Sequence, residues 1–384
     1  MAKSRHIPEP VRCMLWGRAA GRCEFAGCNQ PVSCHRETKE TVNIAEAAHI
    51  IGFSEDGPRG EDELSKEMAR DISNLMLLCR NCHKPIDTNR DQYPVALLRK
   101  MKLDHEERVA LVTSIDPERK STIVLYGANV GVHSSPLTYE RAARAMFPDW
   151  YPAERSPIQL GMVNSSFRDH SSNFWNTEAQ QLRSMIDQRV RPRLASGDIT
   201  HLSLFGFAPQ PLLMLFGFLL SDIPTAETYQ LHREPPDWKW QECPDGLDFI
   251  VERPEGNVGD AALVLSLSAT ITDNRVHEVL GEGIHIWRIS SPDPHNDFLK
   301  SRSQLSTFRE TARRTLDQIK ARHGERAIIH VFPAVPVSVA LDFGRIVMPK
   351  VDLPLRIYDE NKSNGGFIYA LDLDAANSLA VAST

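Results

Sequence analysis

No stretch of this chain stays apolar for the roughly 18 residues that a membrane-spanning helix needs. The opening residues, Met1-Ala-Lys-Ser-Arg-His6, lead into no apolar run of signal-peptide length. A cytoplasmic protein with no membrane contact is therefore expected. Positive charge is scarce too, with 44 Lys and Arg against 50 Asp and Glu and a net charge of −6. The balance is even through Val112 and the whole deficit lies beyond it, so neither part carries the broad positive field that drives nonspecific nucleic-acid binding. The first 22 residues are a local exception, with Lys3, Arg5, Arg12, Arg18 and Arg22 against Glu9; they suit phosphate contact or a solvated helix face. The seven cysteines are not expected to form disulfides, since without an export signal a reducing compartment keeps thiols free. What remains, 41% hydrophobic and 24% charged residues, is the make-up of a globular chain of two or three domains.

Four of the cysteines fall into two pairs, Cys23 with Cys28 and Cys79 with Cys82. The segment between them has too few large apolar residues to fold around a core of its own, and one tetrahedral zinc would staple it. Short loops within each pair let two thiolates reach one ion, and zinc accepts sulfur without redox chemistry. Cys79-Arg80-Asn81-Cys82-His83 also has the spacing of a haem-attachment motif, but that chemistry needs an exported chain. Cys13, Cys34 and Cys243 read as plain thiols.

Between the pairs lie His49, at the end of a β-rich run, Asn74, just before a second apolar run, and then His83. Phosphodiester hydrolysis needs a water deprotonated near neutral pH and a cation to absorb charge on the phosphate, which an imidazole and one divalent metal supply. Asp87 follows His83 by four residues, so on a helix the two share a face and can share a metal. Magnesium or manganese suits that pair, and nickel also fits. His49, Asn74 and His83 framed by the cysteine pairs resemble the ββα-metal core of HNH endonucleases. The resemblance implies that His49 is the general base, Asn74 ties the loop bearing it, His83 binds metal and Asp87 is a second, less fixed ligand. The sequence departs from many relatives at Ala48, where an acidic or histidine ligand is frequent; Glu46 or water is expected to fill that place.

The run Pro94–Val112 reads as a closing helix with one apolar stripe, and Ser114–Ser121 as a break between domains. Beyond it strands alternate with helices, which argues an α/β fold, and the alternation contains an echo. Phe205, Pro209 and Gly217 have the spacing of Phe332, Pro336 and Gly344, and each set is followed by Asp-x-Pro and a tyrosine, Tyr229 or Tyr358. A strand, a helix opened by proline and ended by glycine, and a second strand account for both copies as two Rossmann-like units. Ligands of such units sit beyond the strand ends, here at Phe207–Gln210 and Pro333–Pro336. The same segments resemble a SAVED domain of two CARF-like halves, and an HNH module ahead of it is similar to effector nucleases of CBASS antiphage systems. That resemblance implies a sensor of cyclic oligonucleotides. Pro209, Gln210, Ala334 and Pro336 with the loop amides are expected to meet phosphate or base edges, and Tyr229, Trp238 and Trp240 to stack on bases.

The expected organisation is α/β and multidomain: a zinc-stapled HNH module over 1–112, a linker over 113–121, and a SAVED domain over 122–384 with halves of about 122–245 and 246–384. The expected activity is metal-dependent cleavage of double-stranded DNA. Its activator is a cyclic di- or trinucleotide that draws the chain into a homo-oligomer, a dimer or tetramer. The alternatives are a restriction-type HNH enzyme whose C-terminal domain reads DNA, disfavoured by the acidic balance there, and a catalytically silent zinc-and-ligand-binding regulator.

Overall fold

The computed structural model describes residues 6–60, 62–128, 137–161, 173–242, 248–255, 260–361 and 365–374. The chain divides into two units, Met1–Asp116 and Pro117–Thr384.

In the first unit a proline-led helix α1 (Glu9–Arg18) is followed by strand β1 (Ala45–His49), a short helix α2 (Asp62–Glu67) and strand β2 (Leu75–Cys79). Helices α3 (Arg80–Thr88) and α4 (Val95–Thr113) complete it. The continuous apolar run Leu-Met-Leu-Leu-Cys makes β2 a fully buried strand, and β1 pairs with it antiparallel so that His49 lies opposite Leu75 and Ala45 opposite Cys79. Helix α3 leaves β2 without a loop, because Cys79 is at once the last strand residue and the helix N-cap. The core is small: Leu15, Val32, Ala48, Ile50, Ile86 and Leu98 around β2.

The second unit holds two sheets. The first half runs β3 (Lys120–Gly127), α5 (Tyr139–Met146), β4 (Tyr151–Pro152), β5 (Ile158–Leu160), α6 (Phe174–Arg189), α7 (Arg191–Ala195), β6 (Leu202–Phe207), α8 (Gln210–Leu220) and β7 (Ala226–Thr228). Its sheet has the order β4-β3-β6-β7, with β5 also on β3, and every pairing is parallel. The second half runs β8 (Ile250–Glu252), β9 (Ala261–Ser266), α9 (Asp273–Leu280), β10 (His285–Ser290), α10 (Arg302–His323), β11 (Ile329–Ala334), α11 (Val337–Ile346), β12 (Leu355–Asn361) and β13 (Gly366–Leu373). Its order is β13-β12-β11-β9-β10-β8, parallel in the centre and antiparallel at both edges.

The echo in sequence is an echo in space. Strand β6, helix α8 and strand β7 repeat as β11, α11 and β12, and Tyr229 stacks on Phe205 as Tyr358 stacks on Phe332, at centroid separations of 4.4 and 4.6 Å. Pro209 and Pro336 are the N-caps of the two helices, as the sequence predicts. The glycines act differently from the expectation. Gly217 and Gly344 lie inside their helices, three and two residues before the ends at Leu220 and Ile346. They are where α8 and α11 cross: a Cβ on Gly217 would sit 1.9 Å from the Leu341 carbonyl oxygen, and one on Gly344 would sit 1.9 Å from that of Met214. Backbone packs on backbone there, which joins the two halves through one continuous core.

Candidate functional site

The sulfurs of Cys23, Cys28, Cys79 and Cys82 all lie within 4.8 Å of one another, with Cys28 and Cys79 4.0 Å apart. Zinc with bonds of about 2.3 Å places its four sulfurs ~3.8 Å apart, so this set fits a tetrahedral ion. Cys79 and Cys82 flank the first turn of α3, whose free N–H groups favour the negative charge of a four-thiolate cluster. Burial pushes the Cys23 thiol up to about 12 and raises that of Cys82 as well, a cost that a dication offsets. Cys13 is exposed and Cys34 half-buried, neither in the cluster, and Cys243 lies outside the described residues.

His49 closes β1 with its Nε2 3.0 Å from the Ala69 carbonyl oxygen. A carbonyl only accepts, so Nε2 carries the proton in that contact and Nδ1 is left with the lone pair. Asn74 ties down the chain just past His49: its Oδ1 accepts from the Ile51 N–H at 2.7 Å, and its Nδ2 donates to the Ile51 and Met68 carbonyls at 3.0 and 3.3 Å. Both side-chain groups of this buried amide are thus occupied in holding the loop after β1.

His83 and Asp87 share a face of α3, with Nε2 and Oδ2 3.3 Å apart. Two donors at that separation can hold one small divalent ion at ~2.1 Å each. The other ring nitrogen, Nδ1, meets the Glu46 carboxylate. A metal-binding imidazole commonly donates its second N–H to a carboxylate, which fixes its tautomer and orientation. This corrects the expectation that Glu46 stands in for the ligand missing at Ala48. Glu46 contacts Nδ1 while Asp87 contacts Nε2, and no single ion can lie on both ring nitrogens. Ala48 shares the strand face of Glu46 by alternation but is buried in the core, and its methyl offers no ligand atom.

In the second unit the carboxyl ends of β6 and β11 open onto a cleft of about 500 Å³ lined by Arg141, Gln230, His232, Arg233, Ser268 and Asn296, with Phe207 and Val335–Val337 at the strand ends. A larger cavity of about 660 Å³ at the far ends of α8 and α11 is lined mainly by apolar side chains, with Arg191, Ser221, Asp222 and Lys350 among them. Glutamines clamp the halves beside the cleft: Gln210 Oε1 accepts from the Val335 N–H at 3.1 Å, and Gln230 Oε1 from the Ser338 N–H and hydroxyl at 3.2 and 2.7 Å. His232 is 1% exposed, and among the described residues neither of its ring nitrogens has a hydrogen-bond partner. Burial holds its pKa below the usual imidazole range, so it is neutral at pH 7.

The aromatic residues expected to stack on bases are elsewhere. Tyr229 and Trp238 are 0% and 1% exposed, packed on the two sides of Phe205 in face-to-face and edge-on contacts, so neither offers a free face. Trp240 is 8% exposed and touches His232 edge-on. Pro336 lines the cleft, while Pro209 caps α8, Gln210 is engaged in its clamp and Ala334 ends β11.

A family profile described as "SMODS-associated and fused to various effectors sensor domain", SAVED, matches residues 182–373, half of the chain. The chain belongs to the SAVED family. Ahead of the SAVED domain, a profile described as "HNH endonuclease" matches residues 23–90, the stretch that holds the cysteine cluster, His49, Asn74 and His83. Among solved structures, the chain is similar to an Acinetobacter baumannii Cap4 SAVED/CARF-domain containing receptor with the cyclic trinucleotide 2'3'3'-cAAA. Identity is 15% over 82% of this chain and 67% of that one, with a TM-score of 0.45. A Moraxella osloensis Cap4 SAVED/CARF-domain containing receptor matches at 15% identity over 76% of this chain and 60% of that one, with a TM-score of 0.41. No curated protein matches.

Sequence reasoning missed the cleft residues Arg141, Gln230 and His232 of the second unit, and Arg59, whose guanidinium reaches Asp87 in the HNH module. For Gln230 and His232 a signal was present in Tyr229-Gln-Leu-His232, which directly follows a strand end in the echoed unit. For Arg59 the signal was an arginine between two glycine-bearing turn positions, Gly57 and Gly60.

Proposed function

We propose that this protein is a metal-dependent DNA endonuclease activated by a cyclic oligonucleotide bound in its SAVED cleft, acting in the cytoplasm as a CBASS-type antiphage effector. The nuclease reading is carried by the orientation of the two histidines. His49 has its Nε2 occupied by the Ala69 carbonyl, and His83 has its Nδ1 occupied by Glu46, so each presents one nitrogen for chemistry. His49 Nδ1 takes the proton from the attacking water, Asn74 holds the loop beside it, and His83 Nε2 with Asp87 forms the place for magnesium or manganese. When bound, the ion supplies positive charge to the scissile phosphate and the leaving oxygen. Cys23, Cys28, Cys79 and Cys82 would hold a structural zinc that ties the Cys23–Cys28 turn to the junction of β2 and α3.

The sensor reading is supported by the placement of the cleft at the carboxyl ends of parallel strands, where such folds take ligands. Arg141 and Arg233 suit phosphates; Ser268 and Asn296, half-buried and exposed respectively, suit base edges and ribose hydroxyls. A charge-balanced nuclease module binds DNA weakly alone, so ligand-driven assembly into a dimer or tetramer brings several modules to one duplex. Thermal unfolding of the SAVED domain against a panel of cyclic di- and trinucleotides tests the sensor. One member should raise the melting temperature and do so less in Arg141→Ala, since a ligand that binds only the folded state stabilises it. A panel with no stabilising member would remove the sensor reading.

A further inference from the structure

One buried cation of the HNH module has no part in the scheme above. Arg59 sits in the turn after β1 in a left-handed conformation, φ 58°, rare for a side chain of its size. The turn is tight, since a Cβ on Gly60 would lie 2.2 Å from the Ser54 carbonyl oxygen. The Arg59 side chain is 6% exposed, and its guanidinium donates to four acceptors: the Ile50 carbonyl at 2.8 Å, the Ile86 carbonyl at 2.5 Å, the His49 carbonyl at 3.4 Å and Asp87 Oδ1 at 3.2 Å. Two belong to the last residue of β1, the base itself, and to the residue after it, and two to the last turn of α3, at and next to the metal pair.

The geometry points to Arg59 as a positioning residue for the metal site: by holding Asp87 Oδ1 it turns Oδ2 toward His83 Nε2, and by bridging to the His49 carbonyl it fixes the base relative to the metal pair. The inference rests on the proposed metal site at His83 and Asp87. Asp87 is itself 38% exposed, so without this anchor its carboxylate is free to rotate into water. The planar fork of the guanidinium is what lets one side chain serve both elements, and an ammonium has no equivalent geometry. Electrostatics alone makes the opposite prediction. A fixed positive charge beside a metal site repels the metal, so its removal should tighten binding unless positioning dominates.

Manganese binding to the full chain, followed by electron paramagnetic resonance of the free ion with zinc content as the check on folding, separates the two. Arg59→Gln should weaken Mn²⁺ binding by about 10–100-fold, the usual scale for an outer partner of a metal ligand, and keep its zinc. Arg59→Lys should fall between it and the native protein. Added to Asp87→Asn, Arg59→Gln should cause no further loss, because the residue acts through that carboxylate. Unchanged or tighter binding in Arg59→Gln, or loss of zinc from both Arg59 variants, overturns the inference. If His83→Ala binds Mn²⁺ as the native chain does, the metal-site reading fails, and this inference with it. Weakening in His83→Ala but not in Arg59→Gln sinks the role of Arg59 alone.

Discussion

His49 and His83 are each defined by what occupies their other nitrogen, and that makes their roles separable. His49→Ala should lower DNA cleavage by at least ~100-fold, the scale for losing a general base, with zinc content unchanged; cleavage near the native rate would remove His49 from the reaction. Glu46→Gln should preserve the fold yet raise the manganese concentration needed for half-maximal cleavage by roughly tenfold, because a neutral amide supports the imidazole less well. An unaltered metal requirement would mean that Glu46 only packs against the ring. The two histidines and Asn74 could be named as candidates from sequence because their signal is local, a residue type at a fixed place against an apolar run or a cysteine pair. The part played by Glu46 was not legible: it depends on β1 lying across α3, which brings residues 46 and 83 together. The burial of Tyr229 and Trp238 was hidden for the same reason, as an aromatic beside a strand end looks alike in sequence whether it faces a ligand or Phe205.

At the scale of elements, the duplicated β-α-β unit was readable from spacing alone, while the meaning of its glycines was not. A glycine near the end of an apolar run resembles a helix terminator, and only the packing of α8 on α11 shows Gly217 and Gly344 as contact points. Gly217→Ala should therefore cost about 1–3 kcal/mol of SAVED stability by forcing the backbones apart, measured by denaturant unfolding; a neutral substitution would contradict the crossing geometry. The strands carry a pH dependence as well. His201, just before β6, is stacked on Trp150 at 3.6 Å and bonded to the Ser121 hydroxyl at 2.8 Å, and burial lowers its pKa from 6.5 to about 4. The unfolded chain takes up a proton near pH 6.5 that the folded one refuses until about pH 4, so stability is lost as pH falls through that window. The stability advantage of the native protein over His201→Asn at pH 7.5 should shrink by about 3 kcal/mol by pH 4. A constant difference would show that His201 is not held neutral.

Across the whole molecule, the sequence pattern revealed two kinds of domain but not the cleft, because the cleft is assembled from side chains of both halves, from Arg141 to Val337. Apart from Gln230 and His232, which follow a strand end of the echoed unit, no local pattern marks such residues. The central claim is that occupancy of this cleft controls the nuclease. A ligand does so only if it binds the active assembly more tightly than the free chain. The direct measurement is cleavage of linear duplex DNA in magnesium or manganese with each cyclic di- and trinucleotide in turn, beside His49→Ala and Arg141→Ala. The account predicts little cleavage without ligand, a large rise with one cyclic oligonucleotide, a weakened response in Arg141→Ala and none in His49→Ala. Full-rate cleavage by the ligand-free chain, or no response to any member of the panel, would contradict it.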